Sequence, residues 1–175
     1  MRTGLACLTA AAAALPALTA NAEQGRRFYT NFAYTVLDGD GVAFGAATVR
    51  VGRTLTDIFG VEGEGSVGVD EDSLGQGATA EVRQQLAGYV TARLPIGERG
   101  RIHTRIGYGS VEIRSEAPGL FGTTEEDTFN LDGASLGIGG TYDLTERIGL
   151  RGDLTAFEGD EGSLNIVSAG IAVRF

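Results

Sequence analysis

Apolar and polar residues alternate one by one along most of the chain from residue 28 to residue 175. A two-residue period places successive side chains on opposite faces of a β-strand, whereas a helix needs a period of 3.6 residues. No helical period is found from Glu23 onward. The alternation therefore predicts an all-β fold with eight strands, over Phe28–Leu37, Ala47–Arg53, Phe59–Val69, Gln85–Leu94, Ile102–Gly109, Ala134–Tyr142, Leu150–Ala156 and Val167–Phe175.

Two phenylalanines break the alternation. Phe44 and Phe157 each fall on the polar face of a strand, beside a predicted loop. A β-bulge can turn such a side chain to the other face, and the mouth of a barrel can accommodate it without one. We therefore expect bulges or mouth positions at these two residues.

The predicted connections alternate between short and long. Residues 54–57, 95–100 and 143–147 form short turns, whereas residues 38–41, 70–81, 115–132 and 158–162 form longer, acidic loops. Short turns at one end and long loops at the other are typical of an antiparallel up-and-down transmembrane β-barrel. Ten residues at about 3.3 Å each, tilted by about 40°, also cover the roughly 25 Å of its apolar band.

The two faces of the predicted strands differ in a way that favours lipid outside the barrel. One face carries Phe, Leu, Ile and Val, and the other carries charged residues interleaved with many of the chain's 28 glycines. A soluble β-sandwich or secreted soluble barrel would bury the bulky apolar face and expose the charges. Eight strands enclose a space that side chains can fill. We predict a closed polar lumen with a charge cluster of Arg50, Glu62, Glu64, Arg93, Arg105, Arg151 and Asp153.

Residues 1–22 have the pattern of a cleaved signal peptide. Arg2 supplies the positive charge, residues 5–15 form the apolar run, and Ala20 and Ala22 are the small residues of a cleavage site. The run is shorter than the roughly 17–25 residues of a transmembrane helix. The sequence thus predicts an exported protein with a signal peptide at 1–22 and a β-barrel domain at 23–175. Cleavage would remove Cys7, the single cysteine, so no disulfide is expected.

The signal peptide, the eight alternating strands and the C-terminal strand together resemble the small outer-membrane β-barrel family (OmpA/OmpX-like, "porin family"). Phe175, with Val173 and Ile171 at alternate positions before it, is similar to the family's signal for the outer-membrane assembly machinery. The resemblance implies location in the cell outer membrane, contact with its lipid and recognition by that machinery. Because the family includes adhesins, complement-evasion proteins, structural anchors and a few enzymes, it indicates location more sharply than function.

Catalysis and cofactor binding find little support in the sequence. Some barrels of this architecture are lipid A deacylases with a serine beside a histidine, but His103 is followed by Thr104 and Arg105 and is predicted to face the lumen. A nucleophile needs its base within hydrogen-bonding reach. With one His and no other Cys than Cys7, a transition-metal site is not expected. We predict no catalytic, metal or cofactor site.

The charge of the chain is concentrated in the predicted long loops. The formal net charge of −9 argues against a nucleic-acid partner. The four long loops contain fourteen acidic residues and no arginine, whereas the rest of residues 23–175 has nine acidic residues and thirteen arginines. Asp38–Gly41 and Asp70–Ser73 resemble calcium loops only in part. The loops are either a solvated surface or a site for divalent cations or a basic partner.

These patterns lead to one functional prediction, with alternatives. We expect a monomeric, non-enzymatic outer-membrane barrel with a structural or surface-interaction role in adhesion or envelope integrity. A lipid-modifying enzyme, a small-solute channel and a secreted soluble β-barrel are the alternatives. Turn centres placed at Thr56 and Arg99 put Arg50 across from Glu62 and Arg93 across from Arg105. Since these two arginines would repel each other, Glu62 and Glu64 are expected near the pair of Arg93 and Arg105.

Overall fold

The structure is a computed structural model and describes residues 28–39, 42–69, 71–75, 78–118, 124–160 and 162–175. The predicted signal peptide, with Ala20 and Ala22, lies outside the described residues. Among those described, no helix is long and apolar enough to cross a bilayer. The strands are β1 (Phe28–Gly39), β2 (Val42–Thr54), β3 (Phe59–Gly68), β4 (Glu71–Gly75), β5 (Ala78–Ile96), β6 (Gly100–Pro118), β7 (Thr124–Asp143), β8 (Ile148–Gly159) and β9 (Gly162–Arg174).

The strands close into an eight-membered antiparallel barrel, as predicted. Except for β3 and β4, strands that are neighbours in sequence pair with each other; in addition, β1 pairs with β9 and β3 pairs with β5. β4 also pairs with β5, further along the same strand, so β3 and β4 together occupy one of the eight positions. Because β1–β9 and β3–β5 are both paired, the barrel has no open edge at its centre.

The three short turns are confirmed, at residues 55–58, 97–99 and 144–147. The predicted long loops are wrong in extent, because most of their residues continue the strands. β6 and β7, for example, have 19 and 20 residues and pair as far as Pro118 and Thr124. Once two antiparallel strands have begun to pair, further residues extend the ladder of hydrogen bonds. The polar residues of the predicted loops can continue this pairing outside the bilayer, in water. The barrel therefore projects beyond its apolar band at the long-loop end.

The outer wall of the barrel is apolar and its interior is polar. In β8 the outward side chains are Ile148, Leu150 and Leu154, and they alternate with buried Arg151 and Asp153. The belt continues around the wall with Val90, Ile106, Ile138, Val167 and Ile171, all largely exposed. Such an inverted distribution is stable only when hydrocarbon surrounds the wall.

Leu136→Arg tests this outer belt. Leu136 is 63% exposed and its register partners Ile106 and Ala156 also face outward, near the middle of the belt. A cation there should lower the free energy of unfolding in lipid vesicles by about 2–4 kcal/mol. Leu144→Arg, in a short turn, is the matched control and should cost about 0–1 kcal/mol. Equal losses in urea titrations of the two variants would contradict a lipid-facing belt.

Phe44 and Phe157 lie inside the barrel at the long-loop end. Both are buried, in a cluster that we call the apolar plug: Leu37, Phe44, Ala46, Val82, Val111, Phe157, Leu164 and Ile166. The expected mouth position is correct. The alternative of a bulge is wrong, since Leu37 pairs with Phe44 and Phe157 with Leu164 in regular register. Within the described ladders, register shifts occur instead between Ser73 and Gly75 and between Val82 and Gln84.

Candidate functional site

The lumen is the candidate site, because alternation sends the buried charges of β2, β3, β6 and β8 into it. Arg50, Arg105 and Arg151 lie there with Glu62, Glu64 and Asp153, and each is at most 6% exposed. We call these six residues the lumen network. Three guanidinium groups meet three carboxylates, so the network is formally neutral. This balance matters because a buried charge without a partner is strongly destabilising.

Glu64 is the centre of one half of the network. Its carboxylate accepts hydrogen bonds from Arg50 Nε and, at 2.6 Å, from Arg105 Nη1. Gln85 Nε2 donates to the same carboxylate at 2.9 Å. Arg105 also donates to Thr155 Oγ1 at 2.6 Å and stacks over the ring of Tyr89, 4.4 Å from its centroid. Each carboxylate oxygen of Glu64 therefore has a donor.

Arg151 joins the other two carboxylates. It donates to Glu62 at 2.5 Å and 3.1 Å, and to Asp153 at 2.9 Å from both Nε and Nη2. Tyr29 Oη donates to Glu62 at 2.9 Å. His103 Nε2 lies 2.6 Å from Asp153 Oδ1. A planar guanidinium can hold two carboxylates in this way, which a lysine ammonium cannot match.

Inward glycines of β7 make room for these long side chains. A Cβ on Gly139 would lie 2.6 Å from His103 Nε2 and 2.7 Å from Asp153 Oδ1. A Cβ on Gly137 would lie 2.9 Å from Arg105 Cγ and 2.7 Å from Thr155 Oγ1. Because these atoms belong to the lumen network and to its hydrogen-bond partners, side chains at the two positions would displace them.

The structure changes two of the predicted pairings across turns. Arg50 is in register with Glu64, not Glu62, because the first turn is centred one residue later than expected. Arg93 is in register with His103, and Arg105 with Thr91, because the second turn is centred one residue earlier. Arg105 nevertheless reaches both predicted carboxylates, with Glu62 Oε1 at 3.4 Å.

Arg93 stands apart from the other residues of the predicted cluster. It is only partly buried, and its guanidinium lies over the ring of Tyr29, 5.2 Å from the centroid. Nearby, Asp143 accepts hydrogen bonds from Arg101 at 2.7 Å and from Arg174 at 2.9 Å. These residues surround the short-turn end of the lumen, whereas the lumen network fills its middle.

Two further layers separate the lumen network from the long-loop end. Thr35, Thr48 and Ser66 form a chain of hydroxyl hydrogen bonds of 2.6 Å and 2.8 Å. Above them lies the apolar plug, whose Leu37, Val111 and Phe157 are at most 1% exposed. The lumen is thus filled by ion pairs in its middle and by packed apolar side chains near one end.

Several neutral residues of the lumen were not predicted from the sequence. Asn31 accepts a hydrogen bond from Arg50 at 2.8 Å, and Ser168 accepts another at 2.8 Å. Thr155 likewise accepts a hydrogen bond from Arg105, whereas Gln85 donates one to Glu64 and Tyr29 donates one to Glu62. These residues lie on the inward face of their strands, as the predicted charges do on neighbouring strands. This shared alternation is the signal that could have identified them. No group of three His, Cys, Asp or Glu side chains arranged to hold a metal ion occurs among the described residues.

The chain matches a protein family in its sequence pattern and solved structures in its fold. Residues 3–175 match the family model for the outer membrane protein beta-barrel domain. No curated protein sequence matches the chain significantly.

Solved structures extend the comparison. The N-terminal β-barrel domain of Pseudomonas aeruginosa OprF is 14% identical, with a TM-score of 0.61 over 87% of this chain and 100% of that one. Ail, the attachment invasion locus protein of Yersinia pestis, is 14% identical with a TM-score of 0.55 over 85% and 97%. Neisserial surface protein A is 13% identical with a TM-score of 0.54 over 87% and 98%. At these identities the likeness shows a shared fold.

Proposed function

The chain belongs to the outer membrane protein beta-barrel domain family, and from this we propose that it is a structural or surface-interaction protein of the cell outer membrane, monomeric and without catalysis. The observation that carries the proposal is the filled lumen. The lumen network and the apolar plug leave the outer wall and the two ends of the barrel as the surfaces free to act. In this proposal residues 1–22 are the export signal.

The small-solute channel is disfavoured by how the lumen is filled. Eight strands leave little interior space beyond that of their side chains. Here that space holds arginines paired with carboxylates, and a passing solute would have to separate these pairs. It would also have to cross the apolar plug, whose members are at most 6% exposed.

The lipid-modifying alternative is disfavoured by the position of His103. Its side chain is 9% exposed, faces the lumen and has Asp153 as its partner. A base that acts on membrane lipid has to open toward the lipid, together with a nucleophile within reach. The outward positions beside it on β6 are Ile102 and Thr104.

The acidic long-loop end supports a surface role directed at cations. Long loops of such barrels face outward from the cell. Residues 38–41, 70–81, 115–132 and 158–162 contain fourteen acidic residues and no arginine. The relative Ail is seen in complex with the heparin analogue sucrose octasulfate, a polyanion. The acidic loops of this chain instead attract positive charge, and we propose that a basic partner or divalent cations bind at this end.

Binding of charged probes to the protein in zwitterionic lipid nanodiscs tests this role. Polylysine should bind, and sucrose octasulfate should not bind to the long-loop end. Neutralising Glu125, Glu126 and Asp127 should weaken polylysine binding. Neutralising three acidic residues of the short turns, Asp57, Glu98 and Glu146, is the matched control and should weaken it less. Equal weakening by both sets would contradict a loop-directed surface role.

Phe175→Ala is expected to lower the amount of folded protein in the outer membrane while changing refolding in detergent much less. Phe175 donates its backbone N–H to Phe28 O at 3.0 Å, a bond that alanine retains. The side chain with Val173 and Ile171 is proposed to be read by the assembly machinery, so its loss acts in the cell. Heat-dependent gel mobility measures the folded fraction in both settings. Equal losses in both would assign Phe175 to stability and remove its role as an assembly signal.

A further inference from the structure

A cavity of about 490 Å³ lies at the short-turn end of the lumen, on the opposite side of the lumen network from the apolar plug. Its lining includes Tyr29, Thr91, Arg93, Arg101, His103 and Arg174. Short turns of outer-membrane barrels face the periplasm. The cavity is therefore a periplasmic pocket, separate from the acidic long-loop end.

The pocket has more positive charge than its ion pairs neutralise. Arg101 and Arg174 share one carboxylate, that of Asp143. Arg151 forms its ion pairs with Glu62 and Asp153. Arg93 takes part in none of the ion pairs formed between described residues, and its charge is held against the ring of Tyr29 instead. Two further lining carboxylates, Asp57 and Glu146, belong to the exposed turns at the rim, where water screens them.

A buried hydroxyl points to the same place. Thr91 is 2% exposed and lines the pocket, and its Oγ1 has no hydrogen-bond partner among the described residues. Such an atom normally has a partner, because leaving it without one costs free energy. Thr91 Oγ1 and Arg93 Nη2 lie 3.0 Å and 2.9 Å from the position that a Cβ on Gly60 would occupy. The two donors therefore lie close together beside Gly60, whose missing side chain leaves room for them.

We propose that this pocket binds a small phosphate-bearing anion, with Arg93 and Thr91 as its ligands. The guanidinium supplies two parallel N–H donors and the hydroxyl a third, which matches the oxygens of a phosphate group. Stacking on Tyr29 holds the guanidinium in place, and Arg101 and Arg174 add long-range attraction. The remaining volume accommodates a small organic group attached to the phosphate.

Calorimetric titration of the folded protein in detergent with inorganic phosphate and with glycerol phosphate tests the proposal. Arg93→Gln should weaken binding about tenfold or more, because a charged hydrogen-bonding group is lost. Thr91→Val, which preserves side-chain shape, should weaken it about threefold to tenfold. Tighter binding of glycerol phosphate would identify an organic ester as the ligand, and equal binding would identify free phosphate.

Arg53→Gln is the matched control, because Arg53 lies on the outer wall at the same end, over the ring of Phe28. It removes the same charge and should leave phosphate affinity unchanged. Heat-dependent gel mobility establishes that each variant is folded. Failure of the wild-type protein to bind either probe would overturn the proposal, as would equal affinities of wild-type protein and a folded Arg93→Gln or Thr91→Val variant.

Discussion

Glu64→Gln is expected to lower the free energy of unfolding of the barrel by about 3–5 kcal/mol, the cost of removing one partner from a buried ion pair. Glu64 is buried and is the shared acceptor of Arg50 and Arg105. With its charge removed, three arginines would face two carboxylates in the lumen network. Equilibrium unfolding in urea, with the protein in lipid vesicles, measures the change.

A double-mutant cycle separates pairing from general damage to the lumen. Arg50→Gln should also destabilise the barrel, and the double variant should lose less than the sum of the two single losses, because it leaves no unbalanced charge between the two positions. Arg83 and Glu112 form the control pair, at 2.8 Å with the arginine side chain 49% exposed. Their coupling should be under about 1 kcal/mol. Additive losses at Arg50 and Glu64 would indicate a hydrated lumen without strong pairs.

Phe157→Ala is expected to cost about 3–5 kcal/mol, the usual loss for a buried phenylalanine in a packed core. Phe157 is 1% exposed within the apolar plug, so its removal leaves a cavity that neighbouring side chains fill only in part. Urea unfolding in lipid vesicles again measures the loss.

Phe32→Ala is the control for this substitution, since Phe32 is 47% exposed on the outer wall. There, lipid chains can move into the space that the ring leaves, and the loss should be smaller. Equal losses at the two positions would indicate that the plug is not packed as a core.

The barrel could be predicted because each of the eight predicted strands carries its own two-residue period, whereas the short β4 falls within a predicted loop. In β8, for example, Leu150 and Leu154 face outward while Arg151 and Asp153 face inward, as their alternation predicts. The polarity of each face, with charges in and leucines out, was also readable from local sequence. Nothing beyond neighbouring residues was needed for that assignment.

The pairing within the lumen could not be predicted to the same accuracy, since it depends on turn geometry and on strands distant in sequence. Moving the centre of the first turn by one residue changes the partner of Arg50 from Glu62 to Glu64. Arg151 and Glu62 are 89 residues apart and meet only because the barrel closes. The only sequence signal of the apolar plug was that its two phenylalanines fall on the polar face of their strands. Its members come from six strands that contribute one or two residues each, so no single segment reveals it.

The conductance of wild-type protein in planar lipid bilayers tests the filled lumen most directly. The lumen network and the apolar plug together predict no sustained single-channel current, with the folded state established by its heat-dependent gel mobility. Sustained, reproducible single-channel currents through the folded wild-type protein would contradict a closed lumen and would restore the small-solute channel as the function.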